Sequence, residues 1–300
     1  MRRLPRFEYF KPDSFEAAVR ILGEHKGRIR PLAGGTDLLI AMKEKGLTLE
    51  NVLDLKGIKG FDSIQESKGQ IEIGALATIR SIETSPLIRT KIPFLSVAAG
   101  MIGSVQIRHR ATLGGNLCNA SPSAETAPSL FCLAASAEII DEKGVRVIPL
   151  EEFFVGPGQT VLNGSGLMRK ILIPPLPPNS ACIYFKHSPR RAMDLSVVGV
   201  ACLLTFDSAR RRCTDARIAL GAVAPTPLRV KGAETLIRGK EITEKEIEEA
   251  ADSASREAKP ITDVRGSAEY RTDMVHWFVK KGIRDILARI KSDSHQEAER

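Results

Sequence analysis

Two glycine pairs are the residues in this chain whose type and spacing could bind a phosphate group. Residues 32–39 read Leu-Ala-Gly-Gly-Thr-Asp-Leu-Leu, and residues 111–117 read Ala-Thr-Leu-Gly-Gly-Asn-Leu. Paired glycines permit positive φ angles and close backbone approach, so that consecutive N–H groups can turn toward one ligand. Each pair is predicted to follow a strand, and a helix beginning after Gly35 would add partial positive charge. The pattern predicts a pyrophosphate site built with few lysines.

A tight turn without a ligand is the alternative for either pair taken alone. Neither segment fits G-x-G-x-x-G, and G-x-x-x-x-G-K-[ST] does not occur in the sequence, which disfavours dinucleotide folds of the Rossmann type and P-loops. Glu125 lies in the loop after the second pair, directly before a predicted helix. Its carboxylate could accept hydrogen bonds from ribose or ribityl hydroxyls, or favour the start of that helix.

Local patterns predict the elements that position the two pairs. Around the first pair we predict a helix at 15–22 capped by Asp13 or Ser14, a strand near 28–32, a helix from 37 to about 45, a strand at 51–55 and a link at 56–60. For the middle of the chain we predict a hairpin within 64–74, helices beginning at 86 and 93, and short strands on both sides of glycine-rich turns between 103 and 137.

A proline-rich segment at 174–178 predicts a boundary, because four prolines in five positions cannot continue a helix or a central strand. Beyond it we predict strands at 181–186, 196–205 and 217–223, and helices at 230–237, from 243 onward, and at 267–290. The last helix carries a stripe that we expect in the core, made of Met274, Trp277, Phe278, Ile286, Leu287 and Ile290.

Composition limits the class of protein. The 300 residues correspond to about two domains, and 43% hydrophobic with 27% charged residues is typical of a globular chain. No apolar run is long enough to span a membrane, and the basic N-terminus lacks the apolar segment of a secretory signal. Five cysteines without a C-x-x-C pair disfavour a disulfide scaffold and favour the cytoplasm; these are Cys118, Cys132, Cys182, Cys202 and Cys213.

The net charge of +8 permits a second interpretation, a basic non-catalytic module that binds nucleic acid or another polyanion. Lysine and arginine are dispersed among acidic residues, and one Trp and three Tyr leave few platforms for stacking bases. The sequence therefore favours a partner other than nucleic acid.

The chain resembles the FAD-binding medium subunit of the molybdenum hydroxylases, the family that includes xanthine dehydrogenase and aerobic carbon monoxide dehydrogenase. Five ordered blocks carry the resemblance, at 7–9, 33–39, 106–122, 221–229 and 267–271. It implies an α+β protein with a two-subdomain FAD-binding fold of the vanillyl-alcohol-oxidase/PCMH type, followed by a C-terminal domain of antiparallel sheet plus three helices. We place these units at 1–57, 58–175 and 179–290, with a flexible tail at 291–300.

The resemblance also implies which residues bind FAD. The pyrophosphate and ribityl side would be lined by Leu32, Ala33, Gly34, Gly35, Thr36, Asp37 and Leu38, and further hydrogen bonds would come from Thr112, Leu113, Gly114, Gly115 and Asn116. Glu125 stands where the family often has Asp, Met168 where it usually has Leu against the flavin ring, and Lys186 where it has a lysine near the cofactor. Residues 190–194 are expected to be scaffold or subunit contact, and His109 and His187 to be structural.

The function implied by the resemblance is that of a flavin relay. Substrate would be hydroxylated at a molybdenum cofactor on a large subunit, and electrons would pass through [2Fe–2S] clusters on a small subunit to FAD on this chain, then to NAD or a quinone. We assign no catalytic acid or base and no metal ligand to this chain. Residues 34–37 look more like those of xanthine dehydrogenase than of carbon monoxide dehydrogenase, which more often has His-Ser after the glycines. A flavoprotein of the same fold without a molybdenum partner is the remaining alternative.

Overall fold

The computed structural model describes residues 4–190 and 192–298, with side chains up to residue 292. The N-terminal unit is a small parallel sheet with two helices. Its elements are β1 (Glu8–Phe10), α1 (Phe15–Glu24), β2 (Ile29–Leu32), α2 (Leu38–Glu44) and β3 (Asn51–Asp54). The strand order is β1-β3-β2 with both pairs parallel. Ser14 caps α1 by accepting a hydrogen bond from the Ala17 N–H, as the sequence predicts.

The middle unit is an antiparallel sheet covered by short helices. Its five-stranded sheet has the order β4-β5-β10-β6-β7, and β8 and β9 form a separate hairpin. The strands are β4 (Ile64–Ser67), β5 (Gln70–Gly74), β6 (Ser136–Asp141), β7 (Gly144–Pro149), β8 (Phe154–Gly156), β9 (Gln159–Thr160) and β10 (Leu167–Ile173). The helices are α3 (Ile79–Thr84), α4 (Pro86–Lys91), α5 (Pro93–Gly100), α6 (Val105–Arg108), α7 (Leu113–Cys118) and α8 (Thr126–Cys132).

The prediction of short strands on both sides of the second glycine pair is wrong. Residues 105–108 form α6 and residues 113–118 form α7, and Gly114 and Gly115 lie inside the first turn of α7. The reason is an N-cap: the Thr112 hydroxyl accepts a hydrogen bond from the Gly115 N–H at 3.0 Å. A capped helical turn therefore forms despite two glycines, which are poor helix formers.

The C-terminal unit has a four-stranded antiparallel sheet and three helices, which confirms the predicted domain type. The elements are β11 (Ser180–His187), β12 (Val198–Phe206), β13 (Cys213–Gly221), β14 (Leu228–Arg229), α9 (Lys231–Ile237), α10 (Glu244–Glu257) and α11 (Ala268–Ala298). Every residue of β12 is buried, because α5 and α8 of the middle unit cover one face of the sheet and α11 covers the other. Ala201 and Leu203 accordingly belong to the core of the middle unit, and Val200 and Leu204 to the C-terminal core.

The predicted stripe on α11 is partly wrong. The side chains that face the core are Val275, Val279, Ile283, Ile286 and Ile290, whereas Trp277 is 49% exposed. Buried positions recur every three or four residues from 275, and position 277 lies on the opposite side of that helical repeat. The helix continues through the predicted tail to Ala298, and residues 299–300 lie outside the described residues, so that the flexibility of the tail stays a prediction.

Arg169 joins the N-terminal and middle units. Its guanidinium lies over the rings of Phe15 at 5.8 Å and Phe61 at 5.1 Å, and its Nη1 donates to Glu138 Oε1 at 3.0 Å. Cation–π contacts of this kind contribute about 0.5–1 kcal/mol each. The arginine therefore holds α1 against β6 and β10.

A buried arginine fixes the loop between α10 and α11. Arg271 is 2% exposed, and its Nη1 donates to the carbonyls of Val197 and Ala222, both at 3.1 Å. Its Nη2 donates to Asp263 at 2.6 Å. Arg265 binds the other carboxylate oxygen of Asp263, and these contacts hold the pKa of Asp263 at about 2. The predicted family segment at 267–271 thus includes a residue that anchors the C-terminal unit.

Among the described residues, none of the helices combines the length and the apolar character needed to cross a bilayer.

Candidate functional site

The first glycine pair packs directly against the segment that leads to the second. A Cβ placed on Gly34 would lie 2.1 Å from the carbonyl oxygen of Arg110 and 2.9 Å from the Cα of Ala111. No side chain fits at this separation, so glycine is required by the contact itself. Gly35 has a φ of +79°, which glycine adopts without strain. The two glycine segments, about 80 positions apart in the chain, are therefore adjacent in the fold.

The loop at 33–37 presents unused backbone donors. Within the described residues, the N–H groups of Gly34, Gly35 and Thr36 have no hydrogen-bond partner. All three residues are partly exposed. Backbone amides normally find partners, and successive free N–H groups in a glycine turn form an anion-binding concavity. The first loop thus has the donors and the close approach that a diphosphate needs.

The helix after this loop also contacts the second segment. Asp37 occupies the N-cap of α2 without a side-chain cap bond, and its Oδ1 instead accepts a hydrogen bond from Asn119 Nδ2 at 3.4 Å. Leu32 and Leu38 pack in the small apolar cluster around Met42 and Val52. These two leucines hold the ends of the loop in the N-terminal unit.

The second glycine pair differs from expectation, because its backbone donors are already used. Leu113 and Gly114 N–H groups donate to the carbonyls of Ala77 and Ala75 at 2.9 and 2.8 Å, and Asn116 N–H donates to Thr112 at 2.9 Å. A Cβ on Gly114 would come within 2.8 Å of Ala75. This glycine allows α7 to pack on the end of β5. The backbone donation to FAD proposed for 113–116 would need these bonds to be replaced.

The next predicted residues continue the same structure. Asn116 Oδ1 accepts a hydrogen bond from the Thr126 hydroxyl at 2.6 Å, which links α7 to the start of α8. Glu125, directly before Thr126, has a side chain that is 7% exposed and forms an ion pair with Lys186 at 2.9 Å. Glu125 occupies the N-cap position of α8 but makes no side-chain cap bond, and a hydrogen bond from it to a ribose or ribityl hydroxyl stays a prediction. Its carboxylate is an acceptor for lysine.

Lys186 is neither a free surface lysine nor an available donor. Its Nζ donates to Glu125, to the Met101 carbonyl at 2.9 Å and to the Asp194 carbonyl at 2.7 Å. An ammonium group has three N–H donors, and all three are used. Burial raises the pKa of Glu125, while the charge of Lys186 and its hydrogen bond oppose that rise. Lys186 therefore joins Glu125 to the backbone at Met101 and Asp194, and its place near a cofactor stays a prediction.

Met168 lies in the core of the middle unit and is 4% exposed, with Leu113 and Leu117 in the same cluster. A contact of Met168 with a flavin ring stays a prediction.

The two histidines near the predicted site differ in their surroundings. His187 Nε2 and the Tyr270 hydroxyl share a hydrogen bond of 2.8 Å, which is consistent with a structural histidine, whereas His109 is exposed.

Two other features lie away from these residues. An open cleft of about 540 Å³ between α1 and the β6–β7 hairpin is lined by none of the predicted site residues. Glu248, Asp252 and His276 come together between α10 and α11, but Lys280 also binds Glu248, and the group is an ion-paired contact between helices. Neither feature contributes to the glycine site.

Sequence reasoning missed the support beneath the first loop. Residues 56–60 were interpreted as a link, yet Lys56 Nζ donates to the Ala33 carbonyl at 3.3 Å and to Asp54 Oδ1 at 2.5 Å. The available signal was an Asp at the end of a buried strand, followed two positions later by a lysine. Such a carboxylate needs partners when it is buried.

The family models match almost the whole chain. Residues 5–176 match the FAD binding domain in molybdopterin dehydrogenase, and residues 183–286 match the CO dehydrogenase flavoprotein C-terminal domain. The chain belongs to the medium-subunit family of the molybdenum hydroxylases. This confirms the resemblance and FAD as the cofactor of the matched domain. Members of the family are flavoprotein subunits of oxidoreductases.

Individual family members are similar over nearly their full length. The chain is 31% identical to the carbon monoxide dehydrogenase medium chain of Hydrogenophaga pseudoflava, over 95% of this chain and 98% of the relative. It is 29% identical to a xanthine dehydrogenase FAD-binding subunit of Escherichia coli O157:H7, over 93% and 96%. A solved structure of the Hydrogenophaga pseudoflava carbon monoxide dehydrogenase, lacking the Mo-pyranopterin moiety, superposes with a TM-score of 0.92, 31% identity and coverage of 96% and 99%. The identities to the two relatives, 31% and 29%, are nearly equal and do not distinguish the carbon monoxide dehydrogenase type from the xanthine dehydrogenase type. The preference for the xanthine dehydrogenase type therefore stays a prediction.

Proposed function

We propose that this chain is the flavin relay of a heteromeric molybdenum hydroxylase, receiving electrons from [2Fe–2S] clusters of a small subunit and passing them to NAD or a quinone. The observation that carries the proposal is the row of unused N–H groups at Gly34, Gly35 and Thr36 beside Arg110. These amides would hold the diphosphate of FAD. Bound FAD supplies the redox chemistry, since it accepts and releases electrons singly or in pairs. The chain's own residues bind and orient it.

The cysteines support a role that depends on partner subunits. All five are unpaired, and burial raises the pKa of the Cys118 and Cys202 thiols to about 12. Cluster ligation requires thiolates gathered at one place. Within the described residues, the one group of potential ligands contains no cysteine. Iron–sulfur clusters and the molybdenum cofactor would therefore be carried by the small and large subunits, and the free thiols agree with a cytoplasmic protein.

An apolar surface next to Lys186 fits a partner subunit. Met101, Val105, Met193 and Leu195 are between 36% and 58% exposed. The two segments that carry them are adjacent, because Lys186 binds the carbonyls of Met101 and Asp194, and the Met193 N–H donates to the Gly103 carbonyl at 3.4 Å. Exposed apolar side chains grouped in this way mark protein interaction sites. Since the surface adjoins the predicted site residues Glu125 and Lys186, we assign it to the small subunit, whose clusters must come near the flavin.

The first test is FAD binding by the purified full chain. Titration with FAD should give a perturbed flavin absorption spectrum and a higher melting temperature, because a ligand that binds only the folded state stabilises it. A chain that shows neither change would contradict the proposal. Salt-sensitive binding to DNA or RNA together with indifference to FAD would support the polyanion-binding alternative.

The second test addresses electron flow. Co-expression with the small and large subunits encoded in the same genome should yield a complex that contains this chain, whereas isolation of the chain alone with FAD would favour the flavoprotein without a molybdenum partner. In the complex, anaerobic addition of NADH or of a reduced quinone should bleach the flavin absorption through reverse electron transfer. Bleaching by one of these reagents and not by the other assigns the acceptor.

A further inference from the structure

The open loop at 33–37 rests on a charged network that sequence reasoning did not identify. Asp54 is the last residue of β3 and pairs in register with Leu32, the residue before the loop. Its side chain is almost completely buried. The carboxylate accepts hydrogen bonds from the Tyr9 hydroxyl, from the Lys56 N–H at 3.0 Å and from the Lys56 ammonium at 2.5 Å. The network thus joins β1, β3 and the turn that follows β3.

The charge state of this network follows from its contacts. Burial alone would raise the pKa of Asp54, but hydrogen bonds from Lys56 and Tyr9 outweigh burial and lower it. The carboxylate is therefore ionised at neutral pH and holds the Lys56 ammonium in place. A buried carboxylate is stable only when it is paired and hydrogen-bonded, as it is here.

Lys56 connects this network to the backbone of the loop. Its ammonium donates to the Ala33 carbonyl at 3.3 Å. The Ala33 carbonyl and the Gly34 N–H belong to the same planar trans peptide, in which the two groups point in opposite directions. Anchoring the carbonyl on Lys56 therefore turns the Gly34 N–H away from Lys56, and within the described residues this N–H has no partner. The lysine also places a positive charge behind the free amides.

We propose that Lys56, held by Asp54 and Tyr9, is a positioning residue for the cofactor: it orients the Ala33–Gly34 peptide so that the loop amides receive a diphosphate. This inference rests on the proposed function, in which that loop binds FAD. Lys56 supplies orientation and background charge, and the amides of Gly34, Gly35 and Thr36 make the contact. Removing Lys56 frees the peptide to rotate, and diphosphate ligands lose affinity.

The test compares two lysine variants of the full chain. Lys56→Met should weaken FAD binding about tenfold, the loss of one well-placed charged hydrogen bond. Lys59→Met removes the same charge three positions later, from an exposed side chain with no ion-pair partner among the described residues, and should change affinity less than about twofold. Lys56→Arg, which retains charge and donors, should recover most of the affinity.

A ligand series separates positioning from a general effect on folding. ADP, which carries a diphosphate, should bind Lys56→Met more weakly than the unmodified chain by the same factor as FAD does. Riboflavin, which has no phosphate, should bind Lys56→Met and the unmodified chain with equal affinity. The melting temperature of the FAD-free Lys56→Met chain should fall, because Asp54 loses its ion-pair partner, so affinities are compared at a temperature at which both this variant and the unmodified chain are folded. Equal weakening by Lys56→Met and Lys59→Met, or parallel losses for ADP and riboflavin, would overturn the inference alone. Failure of the unmodified chain to bind FAD would overturn the proposed function and this inference with it.

Discussion

Gly34 lies so close to the carbonyl of Arg110 that a methyl group on residue 34 would come within 2.1 Å of that oxygen. The contact joins a loop of the N-terminal parallel sheet to the residue that leads into α7 of the middle unit. Asp37 and Asn119 form a second link across the same boundary at 3.4 Å. If FAD binds at these loops, as we propose, its affinity should depend on how closely the two segments approach each other.

Gly34→Ala should separate the two segments. The added Cβ cannot be accommodated without backbone movement, and overpacking of this kind costs about 1–3 kcal/mol. We expect a lower melting temperature and at least a tenfold loss of FAD affinity in titrations. Gly100→Ala is the matched control, because its Cβ would meet only the Glu83 side chain at 3.4 Å, and it should leave FAD affinity unchanged. Equal affinities in Gly34→Ala and the unmodified chain would contradict the contact.

Arg169→Met should loosen the N-terminal unit from the middle unit. It removes the stacking on Phe15 and Phe61 and leaves Glu138 without its nearest partner. We expect a loss of about 2 kcal/mol in urea unfolding. Arg146→Met breaks a more exposed pair at 3.3 Å on the same sheet and should cost less than about 1 kcal/mol. Similar losses in the two variants would show that the stacking contributes nothing.

The buried pair of Glu125 and Lys186 should behave as a coupled unit. Lys186→Met leaves a buried carboxylate without a partner, and such losses reach about 3–5 kcal/mol. The double variant Glu125→Gln with Lys186→Met should be more stable than Lys186→Met alone, which a double-mutant cycle in urea measures. Lys231→Met, which removes a surface pair with Glu151 at 3.4 Å, should cost less than about 1 kcal/mol. If the changes in unfolding free energy of the two single variants simply add in the double variant, Glu125 and Lys186 do not stabilise each other, which would contradict this prediction.

Asp263 should make the C-terminal unit sensitive to acid. Its folded pKa of about 2 lies below the ordinary 3.8, so the carboxylate stabilises the folded state at neutral pH. That contribution is present above the unfolded pKa and is lost as pH falls from 3.8 toward about 2. The stability advantage over Asp263→Asn, about 1 kcal/mol after allowance for solvent, should therefore shrink over this range. Parallel pH curves for the two proteins would contradict the assignment.

Met193→Asp should weaken assembly without affecting the flavin site. A carboxylate in the apolar surface would have to be desolvated on contact with the small subunit. We expect at least a tenfold loss of affinity in pull-down titrations, with unchanged FAD binding by the chain alone. Val155→Asp, at another strongly exposed apolar position, is the control and should assemble normally. If Met193→Asp assembles normally, the apolar surface next to Lys186 does not contact the small subunit.

Local signals predicted the elements that local interactions determine. Ser14 caps α1 as expected, and Thr243 with Glu246 forms the predicted capping box of α10. The prediction of a turn between strands at the second glycine pair failed, because a small polar residue followed by two glycines fits both a turn and the capped first turn of a helix. Thr112 accepts from Gly115, and the carbonyls of Ala75 and Ala77, nearly forty positions earlier, hold the resulting turn.

The sequence predicted residues that lie in one region of the fold but not the pairings between them, and their contact with FAD stays a prediction. Gly34, Asp37, Asn116, Glu125 and Lys186 belong to one continuous region, as the family resemblance implied. Their partners are distant in sequence, and spacing alone cannot reveal them. Glu125 meets a lysine 61 positions later, for example, and this contact satisfies both side chains before any ligand is considered.

The chain's single tryptophan, Trp277, is half exposed on α11 and stacks edge-on with Phe278 at 4.7 Å. Its ultraviolet emission therefore reports on the C-terminal unit alone, whereas a yellow chromophore in the glycine loops would emit green light from the opposite end of the chain. Two colours of fluorescence could thus follow the melting of the two ends separately in one sample. Resonance energy transfer between them would measure the distance across the protein as its partners assemble.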